Sequence, residues 1–484
     1  GGLLPDGPAP GGAKGRRSVG EWVLALLRWF VAALALGALW PTNSWDFPTY
    51  AALAGFALFV AWYRGARNLA RLPWVAFDAS LLVITALALY LPFHTKFQSF
   101  YFGLDPAPQR SPLHLYFVIN GIFVFILASF LAYQLWRRHS GAGWWRAAAI
   151  ATRHWPRAQS LIRHYRALVR RDDEQGLLGV YGLLAVVGGG MMLHLFGYTT
   201  AGVLLLLLAV AAWLALQPER SPAETFLLGL VALGFGLGLA CEFVAIRGDV
   251  GRMNTVFKFY LQVWVIWGIA AAVALALIWQ VASKARAWWV DGWRLALALV
   301  AAAVLVYPLV ATRARLLDRF TPGPAYTLDG AAYMRTAVYP DEGRRLELSQ
   351  DKAAIEWLWR NVRGSPVVLE GWAPYYRWGA RVSIYTGLPA VLGWDWHEKQ
   401  QRWGYQEEVE RRVAQVKSAF TSPDPAAALA VVREYGVSYI YVGPLERAYY
   451  PPAGLAKFDR MVGQELELVY DNQGVKIYHV KGAV

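Results

Sequence analysis

Three stretches of the chain carry residue types that do chemistry rather than packing. The first is Trp40-Pro41-Thr42-Asn43-Ser44-Trp45-Asp46-Phe47-Pro48. Its Asn, Ser and Asp read in two ways: as caps whose oxygens satisfy the free N–H groups of a following helix, or with Asn43 and Asp46 at the mouth of a polar cavity between interfacial tryptophans. The second stretch holds Glu242, then Arg247-Gly248-Asp249, then Arg252 through Lys258. Glu242 falls inside the end of an apolar segment, where an unpaired carboxylate is expensive and faces a cavity or a partner charge. Arg247, Arg252 and Lys258 are cations of the kind that bind phosphate; the alternative is an internal ion-pair network with Glu242 and Asp249. The third stretch runs from Tyr375-Tyr376-Arg377-Trp378-Gly379-Ala380-Arg381 to Trp394-Asp395-Trp396-His397-Glu398. Rings interleaved with Arg, Asp, His and Glu suit sugars, whose apolar faces stack on rings while their hydroxyls bond to the charged groups. Trp and Tyr also anchor proteins at membrane surfaces, so that reading stands beside it.

Several other chemistries are excluded. His397-Glu398-Lys399-Gln400-Gln401 lacks the second His that a zincin helix needs. No P-loop or Rossmann glycine fingerprint is present. The one cysteine, Cys241, permits neither a disulfide within the chain nor a cysteine-based metal site.

The elements that must position these residues are mostly apolar. Of 484 residues, 57% are hydrophobic and only 17% charged, against roughly a quarter charged in a soluble protein. Apolar stretches long enough to cross a hydrocarbon core of about 30 Å recur, at 21–40, 49–63, 75–92, 115–136, 177–197, 200–217, 223–246, 259–280 and 293–311. Gly188-Gly189-Gly190 in the fifth is either a close-packing site or a break. Lys and Arg crowd into alternate loops: Lys14, Arg16 and Arg17; Arg64, Arg67 and Arg71; Arg137 through Arg171; Arg220, Lys284, Arg286 and Arg294. The positive-inside rule makes those loops cytoplasmic. The N-terminus is then inside, and an odd number of spans puts the C-terminal part outside. Nearly all of the formal +14 charge belongs to the membrane part, which argues for topology and against a nucleic-acid partner.

The organisation expected is a linker or cytoplasmic N-terminus at 1–20, a transmembrane domain at 21–311 and an extracytoplasmic domain at 312–484. Within the membrane part, the 137–176 loop contains an Arg-rich amphipathic stretch that would lie on the anionic inner leaflet. In the outer domain, helices are expected at Asp351–Val362, Gln406–Phe420 and Pro425–Tyr435. Strands are expected at Pro366–Leu369, Val437–Val442, Leu466–Tyr470 and Val475–Val480. Alternating helices and strands imply a small α/β domain with its own core. The fold class is therefore a polytopic α-helical membrane protein of about nine transmembrane helices, N-in and C-out, with a C-terminal extracytoplasmic α/β domain.

The segments LWPTNSWDFPTY (39–50), RMNTVFKFYLQVW (252–264), RVSIYTGLPAVLGW (381–394) followed by His397-Glu398, and YVGPLERAYY (441–450) carry a resemblance to the YYY family of bacterial and archaeal polytopic membrane proteins, a family of unknown function. That family is distantly similar to membrane glycosyltransferases of the C-type fold (GT-C). The resemblance implies a GT-C-like transferase of the cell membrane that uses a polyprenyl-phosphate sugar donor at the outer leaflet, with membrane lipids around it. Full-length members carry further N-terminal helices, and the catalytic acid of C-type enzymes sits in a first outer loop. A polypeptide carrying those helices is thus an expected partner. On this reading Arg247, Arg252 and Lys258 meet the donor phosphate, and Asp46, Glu242 or Asp249 is the general base or the ligand of a divalent metal. Asn43, Arg381, Trp394, Asp395, His397 and Glu398 orient sugar or acceptor. The rivals are a non-catalytic structural or assembly subunit of a larger membrane complex, and a transporter or flippase for the same lipid.

Overall fold

The computed structural model describes residues 18–64, 72–97, 103–139, 174–217, 220–248, 250–284, 288–319, 327–341, 343–402 and 404–482. Asp249, the Arg-rich stretch 155–171 and most of the 137–176 loop lie outside the described residues. The chain divides into two compact units, one ending at Leu305 and the other running from Val306 onward.

The first unit is built of α1 (Val19–Thr42), α2 (Asp46–Arg64), α3 (Leu72–Leu89), the single turn α4 (Leu91–His94), α5 (Leu113–His139), α6 (Glu174–Leu195), α7 (Thr199–Ala215), α8 (Pro222–Phe243), α9 (Met253–Ala282) and the start of α10 (Trp288–Arg319). Six of these, α1, α3, α5, α8, α9 and α10, are long and apolar enough to cross a membrane. The helices α2, α6 and α7 coincide with the other three expected spans. Two start signals are written in the sequence as Ser-x-x-Glu. Ser18 and Glu21 form a reciprocal capping box at α1, and Ser221 and Glu224 form another at α8.

α8 is the most enclosed helix, with Leu228, Val231 and Phe235 fully buried. Trp267 of α9 is also fully buried and lies against it, its indole N–H reaching the Val231 carbonyl at 3.4 Å. Gly234 makes this possible, because a Cβ there would stand 2.0 Å from Trp267 Nε1. The Gly188–Gly190 run does not break α6, and close packing falls on Gly190 alone: a Cβ on Gly202 of α7 would lie 2.7 Å from the Gly190 carbonyl oxygen. By contrast, the most apolar window of α10 buries no residue. Two short strands, β1 (Leu104–Pro106) and β2 (Val244–Ile246), pair antiparallel and tie together loops far apart in sequence.

The second unit contains a hairpin of β3 (Val338–Asp341) and β4 (Arg344–Glu347) and a separate four-stranded sheet. The sheet comprises β5 (Val367–Leu369), β6 (Val437–Val442), β7 (Leu466–Asp471) and β8 (Lys476–Val480), in the order β5-β6-β8-β7. β5 and β6 run parallel, and the other pairs antiparallel. Its helices are α11 (Leu348–Asn361), α12 (Arg381–Thr386), α13 (Asp395–Gln401), α14 (Gln406–Thr421), α15 (Pro425–Tyr435), α16 (Pro444–Tyr449) and α17 (Pro452–Arg460). β6 alternates between two cores. Ile440 and Val442 pack with Val416, Phe420, Val431 and Phe458 of α14, α15 and α17, while Tyr441 packs with Ala354, Leu358 and Val382 of α11 and α12. A strand covered on both faces reads as a continuous apolar run, which is why Val437–Val442 stands out in the sequence.

Candidate functional site

In the membrane unit the candidate residues meet separate partners. Asn43 follows α1 and its amide donates to Asp46 Oδ1 at 3.0 Å, while the Asp46 N–H donates back to the Asn43 carbonyl at 2.9 Å. The pair closes the turn between α1 and α2. Beside it, α9 contributes two residues one turn apart, both meeting Trp45. The Lys258 ammonium lies 5.0 Å from the Trp45 ring centre, and the Gln262 side chain donates to the Trp45 carbonyl at 3.0 Å. Thr49 Oγ1 and Gln262 Oε1 are buried here with no hydrogen-bond partner among the described residues. The Trp40–Pro48 stretch and the start of α9 thus form one polar seam at Trp45, with Asn43 and Asp46 from the first and Lys258 and Gln262 from the second.

The remaining cations are engaged elsewhere. Arg252 and Glu242 are both buried and pair at 2.9 Å. The second Glu242 oxygen accepts the Ser111 N–H at 3.0 Å. The Arg252 guanidinium also donates to the Gln109 carbonyl at 2.5 Å and to Ser111 Oγ at 2.7 Å. This is a closed, charge-balanced node whose partners come from the segment ahead of α5. Arg247 is exposed and pairs with Asp105 of β1 at 3.0 Å. β1 brings it there through register, since Asp105 faces Ala245.

In the C-terminal unit the third stretch folds into one patch with a buried foot. The loop Gly371–Ala380 between β5 and α12 carries Tyr375 and Tyr376, and α13 with its cap carries Trp394, Trp396 and His397. Ring centres link them in sequence: Tyr375 to Trp396 at 6.3 Å, Tyr375 to Tyr376 at 5.3 Å, Tyr376 to His397 at 5.1 Å, and His397 to Trp394 at 5.4 Å. Tyr375, Tyr376 and Trp396 are 48%, 64% and 45% exposed. Polar neighbours fix the patch from behind. Trp394 donates to the Gly379 carbonyl at 3.1 Å, Asp395 accepts from the Trp372 indole at 3.3 Å and lies 3.6 Å from Lys399, and Glu398 accepts the Gly393 N–H at 2.7 Å. His397 Nδ1 is buried with no partner among the described residues. Trp394, Asp395, His397 and Glu398 are therefore brought together.

Arg381 is not part of that surface. It is 1% exposed and sits at the foot of the loop, with Nε 3.1 Å from Asp351, Nη1 3.3 Å from Glu370 and Nη2 2.7 Å from Glu446. Tyr441 donates to Asp351 at 2.6 Å and Trp378 donates to its other oxygen at 2.8 Å. The Gly371 and Gly443 amides donate to Glu446. Burial pushes the Glu370 carboxyl up to about 7; Arg381 opposes this and Glu446 reinforces it. Burial works against the Arg381 charge, yet Asp351 and Glu446 hold its proton more tightly than usual. Sequence reading missed this cluster, although one signal was available: Asp351 lies on the same face of α11 as Ala354, Ile355 and Leu358, all buried. A carboxylate on an apolar face demands a partner.

Among the described residues, no group of three or more His, Cys, Asp or Glu side chains is arranged to hold a metal ion; the three carboxylates of the foot converge on a guanidinium instead. Residues 13–267 match a family described as Uncharacterized membrane protein (DUF2298). No curated protein matches the chain.

Proposed function

The chain belongs to the family of uncharacterized membrane proteins DUF2298, a multi-pass class to which its six long apolar helices conform, and from that premise we propose that it acts on a polyprenyl-phosphate-linked sugar at the outer leaflet as a GT-C-like glycosyltransferase. In this reading nine helices, α1–α3 and α5–α10, span the membrane with the N-terminus inside, and the C-terminal domain is extracytoplasmic. The observation that carries it is the chain of rings through Trp396, Tyr375 and Tyr376, which are exposed, to His397 and Trp394, which are half-buried, backed by Asp395 and Glu398. Such a surface presents π-faces for a sugar and polar edges for its hydroxyls.

The chemistry then divides between groups. A carboxylate takes the proton of the acceptor hydroxyl as its oxygen bonds to the anomeric carbon. The bond from that carbon to the phosphate oxygen breaks, and the negative charge growing on the lipid phosphate needs a cation. Asp46 is the carboxylate offered for the first role, with Asp249 second. Lys258 in the polar seam and the exposed Arg247 are the cations offered for the other. Glu242 and Arg252 neutralise each other's charge and are assigned to structure. Intact mass spectrometry of the purified chain with its lipids and co-purifying polypeptides tests the reading. A bound polyprenyl-phosphate lipid, or a partner carrying additional helices of the same family, is the result expected. A chain that purifies with neither, inside an unrelated assembly, would overturn it.

A second reading, a non-catalytic subunit of a larger membrane complex, has its own observation. The outer charges of the membrane unit pair off as Glu242–Arg252 and Asp105–Arg247 rather than gathering round one centre. It predicts that Asp46→Asn and Lys258→Gln leave lipid-linked sugar turnover in cells unchanged.

A further inference from the structure

The loop that carries the exposed tyrosines is clasped at its base by its own two ends. It leaves β5 at Glu370 and enters α12 at Arg381. Arg381 Nη1 donates to Glu370 Oε2 at 3.3 Å and the Val382 amide donates to the same oxygen at 3.4 Å, bonds that a neutral carboxyl also accepts. Within the loop, Tyr376 (φ 62°) and Ala380 (φ 60°) occupy the left-handed region, where a side chain is strained and stays only if its surroundings hold it. Ala380 adjoins Arg381 in the clasp, and Tyr376 lies against the Trp394 and His397 rings.

The clasp has too few cations. One guanidinium faces three buried carboxylates: Asp351 from α11, Glu370 from β5 and Glu446 from α16. Two tyrosine hydroxyls also face it: Tyr441 of β6, which donates to Asp351, and Tyr450 beside Glu446, which donates to the Trp372 carbonyl. Lys352, next along α11, pairs with Asp329 and Glu356 instead. Among the described residues, every carboxylate oxygen of the cluster accepts a hydrogen bond except Glu370 Oε1, which is buried without one.

We propose that Glu370 is a proton-operated positioning residue: neutral, it keeps the Gly371–Ala380 loop clasped and its rings presented; ionised, it loosens the foot of the loop. Three carboxylates and one guanidinium, all charged, would leave a buried excess of negative charge that a single proton relieves. The proton belongs on the group whose second oxygen has no donor. Burial places the Glu370 carboxyl at about 7, so the change falls in the neutral range. When it ionises, water must reach Oε1, and the route is the loop's own base. That these rings meet a sugar rests on the function proposed above; the loop's response to protons does not.

Hydrogen–deuterium exchange on the full chain in lipid nanodiscs, corrected for intrinsic rates, tests this at about pH 5.5 and about pH 8.5, either side of the Glu370 titration. The loop 371–380 should exchange about tenfold faster on the alkaline side, while α14 and α15 stay unchanged. Glu370→Gln should exchange slowly at both values. Equal exchange in the unmodified protein, or a pH response that survives in Glu370→Gln, would overturn the proposal. Infrared difference spectra of the unmodified protein need no variant: ordinary carboxyls are already ionised over this range, so loss of a protonated-carboxyl band is expected and its absence refutes the idea. Loss of sugar binding with this pH response intact would refute the functional reading and leave the clasp standing.

Discussion

Each unit buries an arginine among carboxylates, and the two arrangements differ in their arithmetic of charge. In the membrane unit Arg252 has one carboxylate, Glu242, and it also donates to Ser111 Oγ and the Gln109 carbonyl, while the second Glu242 oxygen accepts the Ser111 N–H. In the C-terminal unit Arg381 has three, and one oxygen of Glu370 is left over. The first is a closed knot that fixes where the chain enters α9. The second has a spare proton site at the foot of a loop bearing exposed rings. Buried charge costs several kcal/mol per ion before pairing, so a balanced pair is best read as structure and an unbalanced one as a place where protonation does something.

The largest expected effect is on the unbalanced side. Arg381→Met strands three buried carboxylates, and we expect the C-terminal domain to lose at least about 3–5 kcal/mol; limited proteolysis of the full chain should show that domain cleaved while the membrane helices persist. Arg381→Lys should fail nearly as badly, because one ammonium cannot span three carboxylates as the planar fork does. Glu370 gives the next effect, with a definite sign. Its carboxyl sits at about 7 in the fold against an ordinary 4.5. The unfolded chain therefore releases the proton first, and stability present below about pH 4.5 is lost as pH rises through about 7, amounting to up to about 3 kcal/mol. Thermal unfolding across that window should slope downward in the unmodified protein and run flat, and higher above pH 7, in Glu370→Gln.

On the balanced side, Glu242→Gln leaves Arg252 its carbonyl and hydroxyl partners, so a smaller loss of about 2 kcal/mol is expected in thermal unfolding of the detergent-solubilised chain. If Glu242→Gln proved costlier than Arg381→Met, the contrast between the two clusters would be wrong. The smallest effect on stability is expected at the exposed rings. Tyr375→Ala and Trp396→Ala should shift unfolding by no more than about 0.5 kcal/mol, while weakening carbohydrate binding by about 1 kcal/mol each, read by titration calorimetry.

Local signals in the sequence carried far. The amphipathic period of α11 and the run Val437–Val442 both state their structure within a few residues. So do Trp394, Asp395, His397 and Glu398, which fold into a single patch. What escaped depends on residues distant in the chain. The pairing of Leu104–Pro106 with Val244–Ile246 has no local signature, and it is what brings Asp105 to Arg247. Arg381 stands in sequence among aromatic residues, which suggested a surface role. In the fold it begins α12 over the buried end of β5, where Glu446 and Asp351 arrive from far along the chain. The alternatives left open at Glu242 depended in the same way on Arg252 curling back across the β2 turn.

The most direct test of the account is equilibrium binding of a radiolabelled polyprenyl-phosphate sugar to the full chain in lipid nanodiscs, comparing the unmodified protein with Lys258→Gln and with the double variant Tyr375→Ala/Trp396→Ala. Saturable binding is expected, weakened about tenfold by Lys258→Gln and about thirtyfold by the double variant, the losses that about 1.4 and about 2 kcal/mol of lost contact produce. No binding by the unmodified protein, or binding indifferent to both changes, would contradict it.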